Sequence, residues 1–206
     1  MASAEAAPVR RQDRGRRRMD QVLDTAAEVF AETGYEMATT NGIAARAGMS
    51  PGSLYQFFRN KEAIAEALAA RYAEQIRATH DAAFDPGITC LPLGALIDRV
   101  VDPMIAFNVA NPAAHVLLNG ADLSPPLAAR TRQLHEAALQ RTEALVAARA
   151  PHLPPRERAR VAEVTFQVFK GLLPSVLASG RERAALVQEL KAVLHRYLEP
   201  IDQQQP

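Results

Sequence analysis

The sequence predicts an all-α fold of about nine helices. Apolar residues recur three and four apart through most of the chain, no stretch alternates apolar and polar residues for a useful strand length, and glycine or proline punctuates the pattern at helix-sized intervals. Each element follows from its own residues.

Met19, Val22, Leu23, Ala26, Ala27 and Phe30 form one apolar face with Asp20, Asp24, Glu28 and Glu32 on the others, and Gly34 ends this first helix. Thr39 and Thr40 offer an N-cap for a short second helix with Ile43, Ala44 and Ala47 inward, interrupted at Gly48. Ser50-Pro51 starts a third, because the serine hydroxyl accepts a backbone N–H and proline at the first helical position loses no hydrogen bond; Leu54, Phe57 and Phe58 are its core contacts. Asn60 caps a fourth helix running to about Ala83 and long enough to join two units. Asp85-Pro86-Gly87 is a turn. Leu93–Asn111 then reads as a helix kinked at Pro103, Ala113–Asn119 as a short helix before Gly120, and Ser124-Pro125 as the start of a helix to about Arg149. Beyond Pro151, Pro154 and Pro155, two regular apolar stripes separated by Gly180 predict the last two helices.

Composition narrows the class. With 206 residues, 48% hydrophobic, 24 basic against 23 acidic side chains, 10 Gly and 14 Pro, the chain is neither collagen-like nor disordered. A chain this long buries roughly 70% of its unfolded surface and needs no disulfide or metal staple. Cys90 is the single cysteine, which excludes an intramolecular disulfide and a cysteine-rich zinc site and is compatible with a reducing cytoplasm. Met1–Pro8 carry no apolar run of the kind a leader needs, and charge or proline breaks the longer apolar stretches before the roughly 18 residues of a spanning helix. A cytoplasmic location is therefore expected.

Near-neutral charge hides a local asymmetry: Arg10, Arg11, Arg14, Arg16, Arg17 and Arg18 face only Asp13. Residues 1–15 read as a disordered basic arm, either a solvated tail or a contact to nucleic acid. Residues 16–62 read as a compact unit, and 63–206 as a second one joined to it by the fourth helix.

Thr40–Arg59 has helix-turn-helix spacing. Small Ala44 lies where two steeply crossing helices come closest, Gly48 sits in the turn, and Ile43, Met49, Leu54 and Phe57 close a minimal core against the first helix. The outward face of the third helix (Ser50, Pro51, Gly52, Ser53, Tyr55, Gln56) is small or polar and has no carboxylate. Small residues admit the backbone to a major groove, and a glutamine amide pairs bidentately with adenine. Arg46 and Lys61 are expected to straddle the phosphate backbone, which fixes position but not sequence. A helical hairpin used only for packing is the alternative.

The run Phe30-x-x-x-Gly34-Tyr35, Thr39-Thr40-x-x-Ile43-Ala44-x-x-Ala47-Gly48-Met49-Ser50-x-Gly52-x-Leu54-Tyr55-x-x-Phe58-x-x-Lys61-Glu62 resembles the DNA-binding domain of the tetracycline-repressor family over about Arg16–Leu68. One departure is Phe57, where many relatives carry histidine. The resemblance implies a dimeric transcription regulator, usually a repressor, whose third helix enters the major groove of a pseudo-palindromic operator. It implies DNA contacts from Thr40, Arg46, Ser50, Gly52, Ser53, Tyr55, Gln56 and Lys61. It also implies a variable effector-binding and dimerisation domain whose last two helices form a four-helix interface. The apolar stripes agree, and Leu173, Leu177, Val187, Leu190 and Leu194 are the expected interface; the alternative is that both stripes serve the monomer core.

Met104, Phe107, Asn108, Phe166 and Phe169 are candidates to line an effector pocket for a small, mostly apolar ligand, with ordinary core as the alternative. A regulator without a small-molecule effector is the second functional reading and a helical enzyme the third. Against the enzyme, the histidines are scattered, and no nucleophile elbow or phosphate-cradling loop occurs. No catalytic residue, metal or cofactor is expected.

Overall fold

The computed structural model describes residues 6–119 and 124–202. Among these there are nine α-helices: α1 (Ala6–Met37), α2 (Thr40–Arg46), α3 (Pro51–Tyr55), α4 (Lys61–Ala83), α5 (Leu93–Ala110), α6 (Pro112–Asn119), α7 (Pro125–Arg149), α8 (Pro155–Ala178) and α9 (Arg183–Asp202). Short 3-10 turns cover Pro86–Cys90 and Gly180–Glu182, and no strand is present among the described residues. Gly120, the expected stop after α6, lies outside them.

The chain forms two compact units, Met1–Tyr72 with Asn111–Arg130 and Ala73–Ala110 with Thr131–Pro206. The division differs from the one expected at residue 62. It falls within α4, and α6 belongs to the first unit because Ala113, Ala114, Leu117 and Leu118 are buried and α6 packs on α1. That partnership spans most of the distance between the two helices in sequence, so no local pattern announces it.

In the first unit Val22, Ala26, Phe30, Ile43, Ala44, Leu54, Ile64, Ala65 and Leu68 are all 0% exposed. Gly34 breaks the run of α1 at φ 77°, a left-handed value that glycine adopts without steric penalty. The first helix also extends back to Ala6, so residues 6–15, expected as an unstructured arm, are helical; residues 1–5 lie outside the described residues.

In the second unit Leu96, Ile97, Val101 and Ile105 of α5 meet Leu173 and Val176 of α8 and Val187, Leu190 and Leu194 of α9. A smaller cluster joins Val146 of α7 to Val161 and Ala162 of α8. Charged side chains tie the helix ends. The Arg99 guanidinium donates to the carbonyls of Ala82 and Ala83 at the end of α4, both 3.4 Å, and pairs with Asp85. Arg149 donates to Thr89 and Leu91 carbonyls (2.8 and 2.6 Å) and to both carboxylate oxygens of Asp202 (2.7 and 2.5 Å). These bonds satisfy carbonyls that helix and turn ends leave open.

Two expectations change here. α8 is long and apolar enough, by length and composition, to cross a membrane, since Glu163, Lys170 and Pro174 interrupt its apolar residues without outweighing them. The five residues expected at a dimer interface face the protomer's own core: Leu173, Val187, Leu190 and Leu194 are 8%, 9%, 0% and 4% exposed, and Leu177 packs against the same cluster. The large apolar groups left outward on α8 and α9 are Val164, Leu172 and Val193, at 37%, 37% and 40%. A helix pair with two apolar stripes must bury one in its own domain.

Candidate nucleic-acid interface

The turn between α2 and α3 is set by local chemistry. Thr39 caps α2, its Oγ1 accepting from Gly42 N at 3.0 Å, and Ser50 caps α3, its Oγ accepting from Ser53 N at 3.2 Å. Between them Gly48 adopts φ 65°, and the Met49 N–H donates to the Ala44 carbonyl at 3.0 Å, closing the turn. Gln21 of α1 reaches the same turn, its Nε2 donating to the Ala47 carbonyl at 3.4 Å. The Leu54 carbonyl accepts from both Phe57 and Phe58 N–H groups (2.9 and 3.0 Å), so helical backbone continues past Gln56, the C-cap of the five-residue α3.

One outward surface holds Ser50, Pro51, Gly52, Tyr55 and Gln56, all exposed, with Ser53 half-buried beside them. Tyr55 is held by its hydroxyl, 3.2 Å from Thr40 Oγ1, which joins the start of α2 to the end of α3. Ser53 Oγ lies 3.0 Å from Ser50 Oγ. Ser50 therefore builds the helix start, and Gln56 carries an exposed amide on this surface.

Gly52 separates folding from recognition. A Cβ built there meets only Ser50 Oγ, at 3.9 Å, an ordinary contact, and its φ is not left-handed. The fold does not require glycine at this position. What a side chain would obstruct is a surface approaching from outside, as expected where backbone must come close to a groove floor.

Arg46 and Lys61 serve the protein's own structure. The Arg46 guanidinium forms a two-pronged pair with Glu32, one arm at 2.6 Å, and its Nε lies 3.4 Å from Glu28. The hydrogen bond and charge of Glu32 raise the Arg46 pKa, and Arg46 in turn lowers that of Glu32. Lys61 Nζ donates to the Tyr35 and Glu36 carbonyls at 2.9 and 3.1 Å and lies 4.4 Å from the centre of the Tyr35 ring, so it caps the end of α1. The Tyr35 phenol donates to Glu62 at 3.4 Å; burial and the negative charges of Glu62 and Glu36 push it up to about 12. Sequence spacing placed both cations near DNA and missed their partners. Glu28 and Glu32, four apart on α1, were the available signal.

Met104 and Asn108 are buried, with the Asn108 amide donating to the Met104 carbonyl one turn back at 2.9 Å. Phe169 packs on the cluster formed by α5, α8 and α9, whereas the Phe166 ring meets His135 of α7 edge-on at 5.6 Å. Burial, with the charge of Lys170, lowers the His135 pKa.

With this geometry in place, similarity to known proteins is decisive. Residues 22–68 match the family described as "Bacterial regulatory proteins, tetR family", and residues 92–198 match "Tetracyclin repressor-like, C-terminal domain". The chain belongs to the TetR family. A TetR-like transcriptional regulator from Rhodococcus sp. RHA1 shares the fold with a TM-score of 0.73 at 19% identity, over 88% of this chain and 96% of that one. The fatty acid metabolism regulator protein of Bacillus subtilis is 46% identical over 44 residues, 21% of this chain and 23% of that protein. The transcriptional repressor Rv1474c of Mycobacterium tuberculosis is 41% identical over 61 residues, 30% and 33% of the two chains. These alignments span only about a quarter to a third of the length of the curated relatives.

Proposed function

We propose that this protein is a sequence-specific DNA-binding regulator that acts as a homodimeric repressor on a pseudo-palindromic operator and is released by a small, mostly apolar ligand. The observation that carries the reading is the α3 surface: Gly52, which folding does not need, stands between a capped helix start and Gln56, with no carboxylate on the face. Ser53 and Gln56 read bases, Tyr55 and Thr40 hold the backbone, and Gly52 admits it. Arg46 and Lys61 enter as supports of the motif rather than as phosphate ligands, because their charges already have acceptors. The protein works by binding rather than by catalysis, inside the cell where its DNA lies.

The homodimer forms through the outer stripe of α8 and α9, Val164, Leu172 and Val193, and not through the leucines turned into the core. The effector site is built around Phe166 and His135 between α7 and α8, where an apolar ring and a half-buried imidazole lie together. The experiment is fluorescence anisotropy on a duplex from the DNA upstream of the coding region, with a scrambled duplex as competitor. Gln56→Ala should lose affinity for the upstream duplex far more than for the scrambled one. Equal loss on both would refute base reading by Gln56.

A further inference from the structure

The Arg-rich start of the chain is not absorbed by this reading, and the fold gives it a place. α1 runs unbroken from Ala6 to Thr33, and Arg14, Arg16, Arg17 and Arg18 are exposed on it. Among these, Arg18 donates to Gln21 at 3.3 Å, and Gln21 in turn holds the Ala47 carbonyl in the turn just before α3. The cationic stretch therefore begins within one helical turn of the α2–α3 turn. From Gln21 back to Ala6 the helix extends roughly 22 Å at 1.5 Å per residue, about the length of six base-pair steps.

Exposed Arg14, Arg16, Arg17 and Arg18 crowd like charge onto a segment with no apolar stripe to bury, and a polyanion beside it would relieve their repulsion. We infer that the N-terminal extension of α1 is a helical phosphate clamp, laid along the backbone of duplex DNA next to the groove read by α3. The inference rests on the DNA-reading role proposed for α3. Its contacts are electrostatic, so they add affinity for any duplex and no sequence preference.

The test compares the full chain with the triple variant R14Q/R16Q/R17Q, and with a chain lacking residues 1–13, by anisotropy on the upstream and scrambled duplexes over a range of salt. The substituted positions are exposed, and a thermal melt checks that the domain remains folded. For the triple variant the plot of log affinity against log salt should become shallower by about 2 to 3 per bound protomer, and so by about 5 for the dimer, near 0.9 for each phosphate released, with affinity falling tenfold or more at low salt on both duplexes alike. The truncated chain, which loses Arg10 and Arg11, should flatten the slope in the same direction by up to about 2 per bound protomer. An unchanged slope with upstream preference intact would overturn the clamp and leave α3 reading untouched. Loss on the upstream duplex alone would also overturn it, since that is base reading. No upstream preference in the full chain would instead remove the reading on which the clamp rests.

Discussion

Leu190 and Val193 stand three residues apart on α9, one 0% and the other 40% exposed, and they separate core from interface. Leu190 touches the cluster shared by α5, α8 and α9. Truncating a fully buried leucine to alanine loses transfer energy and leaves a cavity, about 3 kcal/mol in a packed site. For a chain of this length that lowers Tm by roughly 6–12 °C. Val193→Arg removes no core contact, and as a free surface change it should stay within about 0.5 kcal/mol. Across a two-fold axis, however, each new arginine meets its symmetry mate in a patch losing water, which disfavours the pair. Sedimentation velocity should show Leu190→Ala still dimeric with a lower Tm. Val193→Arg should be monomeric and folded, with a Tm that no longer rises with protein concentration. A dimeric Val193→Arg would refute the outer stripe, and a Leu190→Ala variant of unchanged Tm would refute the core assignment.

Gly52→Ala should leave thermal stability equal or slightly raised, since alanine is the better helix residue and no atom blocks it, while weakening DNA binding; unchanged binding would show that no backbone approach occurs there. Gly48→Ala should do the reverse, with a stability loss of about 1–2 kcal/mol from its φ of 65°, read by chemical denaturation. Lys61→Met frees two carbonyls at the end of α1 and should cost about 1–2 kcal/mol without altering the salt slope of DNA binding; a flatter slope would return Lys61 to the phosphate contacts. His80, buried against the edge of Phe84 near the Arg141–Asp81 pair, titrates at about 4 because burial and then Arg141 disfavour its charged form. The unfolded chain then binds more protons between about pH 6.5 and 4, so stability is complete above that window and falls through it as pH drops, by on the order of 3 kcal/mol. His80→Gln should flatten that part of the stability–pH curve, and an unchanged curve would exclude His80 as its source.

Much of the molecule is written in short-range chemistry, and that part was legible. The caps at Thr39 and Ser50, the left-handed glycines at 34 and 48, and the 3–4 spacing of Val22, Ala26 and Phe30 act over a few residues, so the sequence by itself determined the helices, the helix-turn-helix and the family. The basic run reads as a loose arm because charge alone says nothing of continuity; its helical state follows from propagation of α1, since extending an existing helix avoids the cost of nucleating one.

Partnership across long sequence distances was left to tertiary structure. Periodicity shows that α8 and α9 each carry an apolar stripe, yet which stripe meets α5 depends on how the helices rotate about their axes, and that rotation turned Leu190 inward and Val193 outward. The same holds for charge: Arg46 faces outward on α2 in any reading of the spacing, and only the approach of α1 places Glu32 and Glu28 beside it. Local bonds choose the elements; the burial of one face rather than another, settled by every packed helix together, chooses which residues remain available for DNA, ligand or a second copy.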